Sequence, residues 1–279
     1  MMRQAVLLAF LSFTLTGCDF EDFAGGERSQ TDFHYNFPLN PGGSVNVDTF
    51  NGSIEISGWD QNSVDISGTK YASTDQLRDA IKIDTSHSDT TVSVHAVRPY
   101  ESSSIRHGNM GARFVIHVPK KVNLDRIVSS NGKIEIRSVA GSATLRTSNG
   151  AIEAEQFDGP LDASTSNGHI TIQEEMTARH SPVHARTSNG AISITAEHPI
   201  DSDLRASTSN GSITIHLPAR TAARVRASTS NSAITTDFEV TAQGRLDKHH
   251  LEGTINGTGP DAPMIELSTS NGPIRLAKL

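Results

Sequence analysis

Ala206-Ser207-Thr208-Ser209-Asn210-Gly211, ASTSNG, is the stretch whose reading decides the fold, because near copies stand at 144–150, 163–168, 185–190, 227–232 and 268–272. A lone Asn-Gly is a tight-turn signal. Its return at a near-constant interval marks a repeat. Aligned on their asparagines, the copies begin at Asn51, Asn131, Asn149, Asn167, Asn189, Asn210, Asn231 and Asn271. Isoleucine follows three residues later in every copy, from Ile54 to Ile274. A hydroxyl residue stands two before, from Thr49 through Ser129 to Thr269, and an apolar residue four before, from Val47 to Leu267. Unrelated turns would not hold these columns in register.

Parity gives the shape. Before the asparagine the apolar or small positions fall at even offsets (Leu204, Ala206, Thr208), and after it at odd ones (Ile213, Ile215). Period two places each set on one face of a strand. The change of parity means that a bend at Asn-Gly absorbs one residue, so both strands face the same interior. Glycine at the next position, replaced once by Ser232, is expected to supply a positive φ there. From Asn131 to Asn231 the intervals are 18, 18, 22, 21 and 21 residues, and the step to Asn271 is 40, read as two intervals with a missing copy near 251–257. Such a length accommodates two short strands and two turns. The expected fold class is therefore all-β, a β-solenoid of coils of about 20 residues with an N-terminal capping sheet. Seven coils at strand spacing would give a rod roughly 34 Å long.

In such a rod the asparagines form a stacked amide ladder, with the hydroxyls stacked likewise beside it and the isoleucines as its hydrophobic counterpart. The second turn of each coil, as at 157–160, 175–181 and 197–199, is less uniform, and there a ligand is expected to touch. About 65 residues between Ile56 and Val122 interrupt the repeat. Ser73 with Gln76 forms a capping box before a short helix. Thr90–Val97 and Phe114–Val118 read as strands, and 98–111 as a polar loop. At the far end Pro273, Arg275 and Lys278 are expected to discourage strand addition.

Residues 1–17 have one Arg, a short apolar run and then small residues, the layout of a signal peptide. Leu15-Thr16-Gly17-Cys18 is similar to a lipobox, making Cys18 the expected lipidation site and link to a membrane; no other stretch is long and apolar enough to span one. Cys18 is the one cysteine, so no internal disulfide holds the fold. The expected organisation is signal peptide 1–17, flexible tether 18–31, first coil and capping β region 32–126, and repetitive solenoid 127–279. A net charge of -7 disfavours nucleic acid as a partner.

Twelve scattered histidines show no metal-ligand spacing. No Ser lies in a nucleophile elbow, and no phosphate-cradling loop is present. We therefore expect no catalytic residue, metal or cofactor. The alternative of an enzyme acting on acidic polysaccharide rests on Arg146, Arg186, Arg205 and Arg226, on successive coils, which read as a solvated edge or a shallow glycan site.

Together, Asn51-Gly52-Ser53-Ile54-Glu55-Ile56-Ser57-Gly58-Trp59-Asp60, Ile116-His117-Val118-Pro119 and the Thr-Ser-Asn-Gly-x-Ile series resemble a family of bacterial envelope proteins described as putative adhesins of β-helical fold. The resemblance covers nearly all of 33–279. It implies a fold and an envelope location and brings no catalytic residues. The expected function is a lipid-anchored, non-enzymatic scaffold or binding module for envelope protein or glycan, with an envelope-stress sensing accessory as the alternative.

Overall fold

A computed structural model describes residues 29–99, 109–174, 181–257, 259 and 262–279. The signal peptide, Cys18 and most of the tether lie outside them. Strands β1 (Ser29–Pro38), β2 (Ser44–Thr49), β3 (Ile54–Trp59) and β4 (Ser63–Ala72) precede a short helix, α1 (Asp75–Ala80). There follow β5 (Lys82–His87), β6 (Thr91–Val97), β7 (Met110–Pro119), β8 (Asn123–Ser129) and β9 (Ile134–Arg137). The middle holds β10 (Ala143–Thr147), β11 (Ile152–Phe157), β12 (Leu161–Ser164), β13 (Ile170–Glu174), β14 (Val183–Arg186), β15 (Ile192–Ala196), β16 (Leu204–Ser207) and β17 (Ile213–Leu217). Last come β18 (Ala223–Thr229), β19 (Ile234–Thr236), β20 (Val240–Leu246), β21 (His250–Ile255), β22 (Met264–Thr269) and β23 (Ile274–Lys278).

These strands build two long, mostly parallel sheets, a β-solenoid. One is eleven-stranded, in the order β1-β4-β7-β3-β9-β11-β13-β15-β17-β23-β19; the other is twelve-stranded, in the order β20-β21-β18-β22-β16-β14-β12-β10-β8-β2-β6-β5. Each rung is one strand from each sheet, joined at the asparagine corner in every rung but β6/β7. Among the described residues the sheet orders give nine parallel rungs rather than seven, about 43 Å of rod at strand spacing. The two additional rungs come from segments without the full spelling or out of sequence order. The outermost is β6/β7, drawn from inside the interruption.

At both ends the rungs leave chain order. The first, β2/β3, lies between β6/β7 and β8/β9, and the last, β22/β23, lies between β16/β17 and β18/β19. This overturns two expectations. Residues 251–257 are not a missing coil: β21 runs antiparallel to β18 and, with β20, folds over the end. Pro273, Arg275 and Lys278 do not guard an edge either, since β23 is paired on both sides. At the other end β4 and β1 extend one sheet antiparallel and β5 the other. β1 starts at Ser29, so 29–31 are paired with Ala72–Lys70 rather than being tether. The cap of α1 is Thr74, whose side chain accepts from Leu77 N–H, in place of Ser73.

The columns explain the core. Every residue four before the asparagine is buried, Val47, Ile127, Leu145, Ala163, Ala185, Ala206, Ala227 and Leu267, as is every isoleucine except the half-buried Ile234 of the terminal rung. Each fully buried isoleucine contributes roughly 1.5–3 kcal/mol. One apolar cluster runs from Leu39 to Leu276, so capping region and rod share a single core.

Candidate functional site

The Asn-Gly corner is held by three kinds of bond between rungs. Asn149 Nδ2 donates to Asn131 Oδ1 (2.6 Å), Asn167 to Asn149 (2.6 Å), Asn189 to Asn167 (2.6 Å) and Asn210 to Asn189 (2.7 Å). The file then passes to Asn271 and ends at Asn231, which donates to Asn271 (2.6 Å). Asn51 stands apart. Its amide donates to the Met110 carbonyl at 2.8 Å, because the rung beyond it, β6/β7, brings no aligned asparagine; Gly52 beside it has φ +127°.

The hydroxyls do not stack on one another as expected. Thr208 Oγ1 accepts from its own Gly211 N–H (3.2 Å) and donates to the Gly190 carbonyl of the neighbouring rung (3.1 Å). The same relay joins Thr147 to Gly132 and Thr165 to Gly150, each at 3.0 Å. These threonines are buried, so each relay satisfies backbone groups that water does not reach. The expected positive φ is found at Gly52, whereas the corner glycines from Gly132 to Gly272 serve close approach. A Cβ on Gly190 would sit 1.8 Å from the Gly168 carbonyl oxygen, and one on Gly211 would meet Gly190 at the same distance.

The four arginines do not form one row. Arg146 and Arg186 share a column with Ser164 between them, while Arg205 and Arg226 lie in the neighbouring column on either side of Glu266. Arg146 pairs with Asp162 (3.4 Å), Arg205 with Glu266 (3.5 Å) and Arg226 with Glu252 (2.7 Å). Three of the four are thus paired within the chain. No group of three or more His, Cys, Asp or Glu among the described residues is placed to hold a metal.

The outward face of the eleven-stranded sheet, at its capped end, differs in character. A shallow depression of about 620 Å³ is lined by residues including Asp32, His34, Ser67, Arg113, Val115 and Glu55. It adjoins a smaller one of about 210 Å³, lined by Glu55, Ser57, Val115, His117, Glu135 and Arg137. Glu55 and Val115 belong to both. The dip lies where Ser53 and Ser67 are small among larger outward residues; Gly68 belongs to the inward set, where a Cβ would meet the Phe33 ring at 2.3 Å. Val115 is 43% exposed, an uncovered apolar side chain in the middle of a sheet face. Arg113 lies 4.7 Å over the Tyr71 ring.

Around the depressions the side chains are fixed by one another. Asp65 accepts from Asn36 (3.1 Å) and pairs with His34 (2.6 Å). Burial pushes its pKa up, but these partners outweigh that and hold it below the ordinary carboxylate value. Glu55, Glu135 and Glu153 stack on adjacent strands. Lys133 bridges Glu135 (2.6 Å) and Glu153 (2.7 Å), and Arg137 pairs with Glu135 and with Glu155 (3.0 Å). Burial would raise the Glu153 pKa, yet Lys133 and then His169 bring it below the usual range. Burial likewise opposes the Lys133 charge, and the two glutamates overcome it and raise its pKa. Glu55 is exposed and carries no ion pair among the described residues.

Ser57 Oγ lies 2.7 Å from His117 Nδ1, and Asp65 faces His117 across the β4–β7 pair. The three do not make a relay, because Asp65 is committed to His34 and Asn36. His117 is instead stacked on Trp59, with centroids 5.3 Å apart. The arrangement suits recognition by hydrogen bonds around an apolar centre. Sequence reasoning passed over these residues, although glutamate recurs four after Asn51, Asn131 and Asn149, a visible signal of the stacked carboxylates. The expected Cys18 lies outside the described residues.

The model of a protein family described as Toastrack DUF4097 matches residues 38–277. Among curated proteins no sequence matches. Solved structures similar to the chain include one described as a putative cell adhesion protein from Clostridium sporogenes, at 12% identity over 89% of this chain and 100% of that one, with a TM-score of 0.37. Two described as putative adhesins come from Bacteroides fragilis (12% identity, 90% and 98% covered, TM-score 0.35) and Parabacteroides distasonis (11%, 89% and 97%, TM-score 0.36).

Proposed function

The chain belongs to the Toastrack DUF4097 family, and from that premise we propose that it is a lipid-anchored, non-enzymatic binding scaffold of the cell envelope, adhesin-like in action. The observation that carries this reading is the pair of depressions joined at Glu55 and Val115. Their floor is paired strand, so little ordering is lost when a partner docks. An exposed valine beside an unpaired carboxylate, ringed by Ser, His and Arg, fits an envelope protein or glycan offering hydrogen-bond donors. The Leu15-Thr16-Gly17-Cys18 sequence supports the anchor, because a doubly acylated cysteine gives stable attachment.

Capture from envelope extract by the immobilised protein tests the surface. A partner retained by the wild type should be lost with Glu55→Lys and with Val115→Asp. Capture unaffected by both variants would remove the site, and no specific capture would remove the binding role. Labelling cells with a fatty acid tests the anchor: the wild type should take up label and Cys18→Ala should not, and an unlabelled wild type would refute lipidation.

A further inference from the structure

The rung β22/β23 fills a slot whose two walls are the same. Residues 205–210 and 226–231 both spell Arg-Ala-Ser-Thr-Ser-Asn. β22 pairs with both in one register: Ile265 lies beside Leu204 and Val225, and Leu267 beside Ala206 and Ala227. β23 does the same, with Ile274 between Ile213 and Ile234. The corner bonds also repeat on either side. Thr269 donates to the Gly211 carbonyl (3.1 Å) and Thr229 to the Gly272 carbonyl (3.0 Å), while Asn271 donates to Asn210 and accepts from Asn231, both at 2.6 Å.

Two consequences follow. If the rung leaves, β16 can pair with β18 without a shift of register, so part of the lost backbone bonding is replaced. β18 and β19 also precede β22 in the chain and emerge first during synthesis. At that stage the in-register partner open to β18 is β16. A last rung that arrives after these two have paired enters by parting them.

From this we propose that residues 264–278 are an exchangeable rung, and that the partner fitting the slot is the same rung of a second copy of this chain. Reciprocal exchange through the connection 256–263 would yield a two-fold dimer in which every inter-rung bond of the monomer is remade between copies. Ile265, Leu267, Ile274 and Leu276, all buried, would then fill the core of the other copy. The proposal does not depend on the functional reading above.

The test places cysteines on neighbouring outward positions in different copies, in a Cys18→Ser background. Ser228 and Ser268 are direct neighbours across the β18–β22 pair, and Ser207 and Ser268 across the β16–β22 pair. Chains carrying Ser228→Cys or Ser207→Cys are each mixed with a chain carrying Ser268→Cys. The mixtures are held at the denaturant midpoint at high protein concentration, refolded and oxidised. Exchange predicts disulfide-linked heterodimer for both mixtures, rising with concentration, several-fold above the background from a partner chain carrying Ser164→Cys on a middle rung. Heterodimer at background in either mixture overturns the proposal if the corresponding cysteine pair closes within one chain. In-chain pairs that fail to close overturn the register on which it rests.

Discussion

The Asn-Gly corner and the outward face of the eleven-stranded sheet are built from the same rungs and obey opposite rules. At the corner every middle rung repeats one neutral spelling; on the face, Glu55, Glu135 and Glu153 give way to Thr171, Ser193 and Thr214 along one row. The difference lies in what each position meets. A corner residue meets its own copy on the next rung at bonding distance, so a change in one rung breaks a contact with its neighbours. A face residue meets solvent on one side and is free to differ, which is where specificity can be written.

Breaking the corner should cost most where backbone approaches backbone. Gly190→Ala places a methyl against the Gly168 carbonyl and should destabilise by ~3 kcal/mol or more, read as a fall in the urea midpoint. Thr208→Val keeps the shape but strands the Gly190 carbonyl and the Gly211 N–H. A loss of about 2 kcal/mol is expected by the same measurement. Asn210→Ala severs two amide bonds at an exposed position. Because water can rehydrate the freed amides, the expected loss is about 1 kcal/mol; a loss above that of Thr208→Val would make the amide file the main support of the corner.

Two changes on the face sharpen the comparison. The folded pKa of Glu153 lies below its ordinary value of 4.5, so its ionised form adds stability that is present above the unfolded pKa and lost as pH falls through the folded one. Glu153→Gln should therefore lower the stability at pH 6 by about 0.5 kcal/mol given the half-exposed Lys133, read as a small fall in the melting temperature, with the difference vanishing near pH 2. Glu55→Lys should leave the urea midpoint unchanged within about 0.5 kcal/mol. A large loss there would show that the depression is structural.

Much of this was legible in the sequence because a solenoid repeats its contacts at a fixed interval. The columns at Val47, Thr49 and Ile54 named the core and the corner before any coordinates. Neighbour order was not legible at the ends. The hexapeptide at 205–210, its twin at 226–231 and Ser268–Gly272 present interchangeable edges, and interchangeable edges carry no label for who sits beside whom. The role of glycine was misread for a related reason: 1.8 Å separates its missing Cβ from an atom 22 residues earlier, a distance no local turn rule contains. The depression depends on small residues distant in sequence, Ser53 and Ser67, coming together on one face, which only the strand order reveals.

The amide file has a direction. Each asparagine donates toward the capped end and accepts from the opposite side, from Asn231 down to Asn131. The threonine hydroxyls align with it, as do backbone N–H groups such as those of Ser148 and Asn149, which both donate to Ser130. Dipoles so aligned add, as peptide dipoles do along a helix. The corner is thus an electrical arrow laid along the rod, positive at Asn131 and negative at Asn231, and the inserted rung leaves it unbroken. Two rods abutting by the same end would set like poles of this file together.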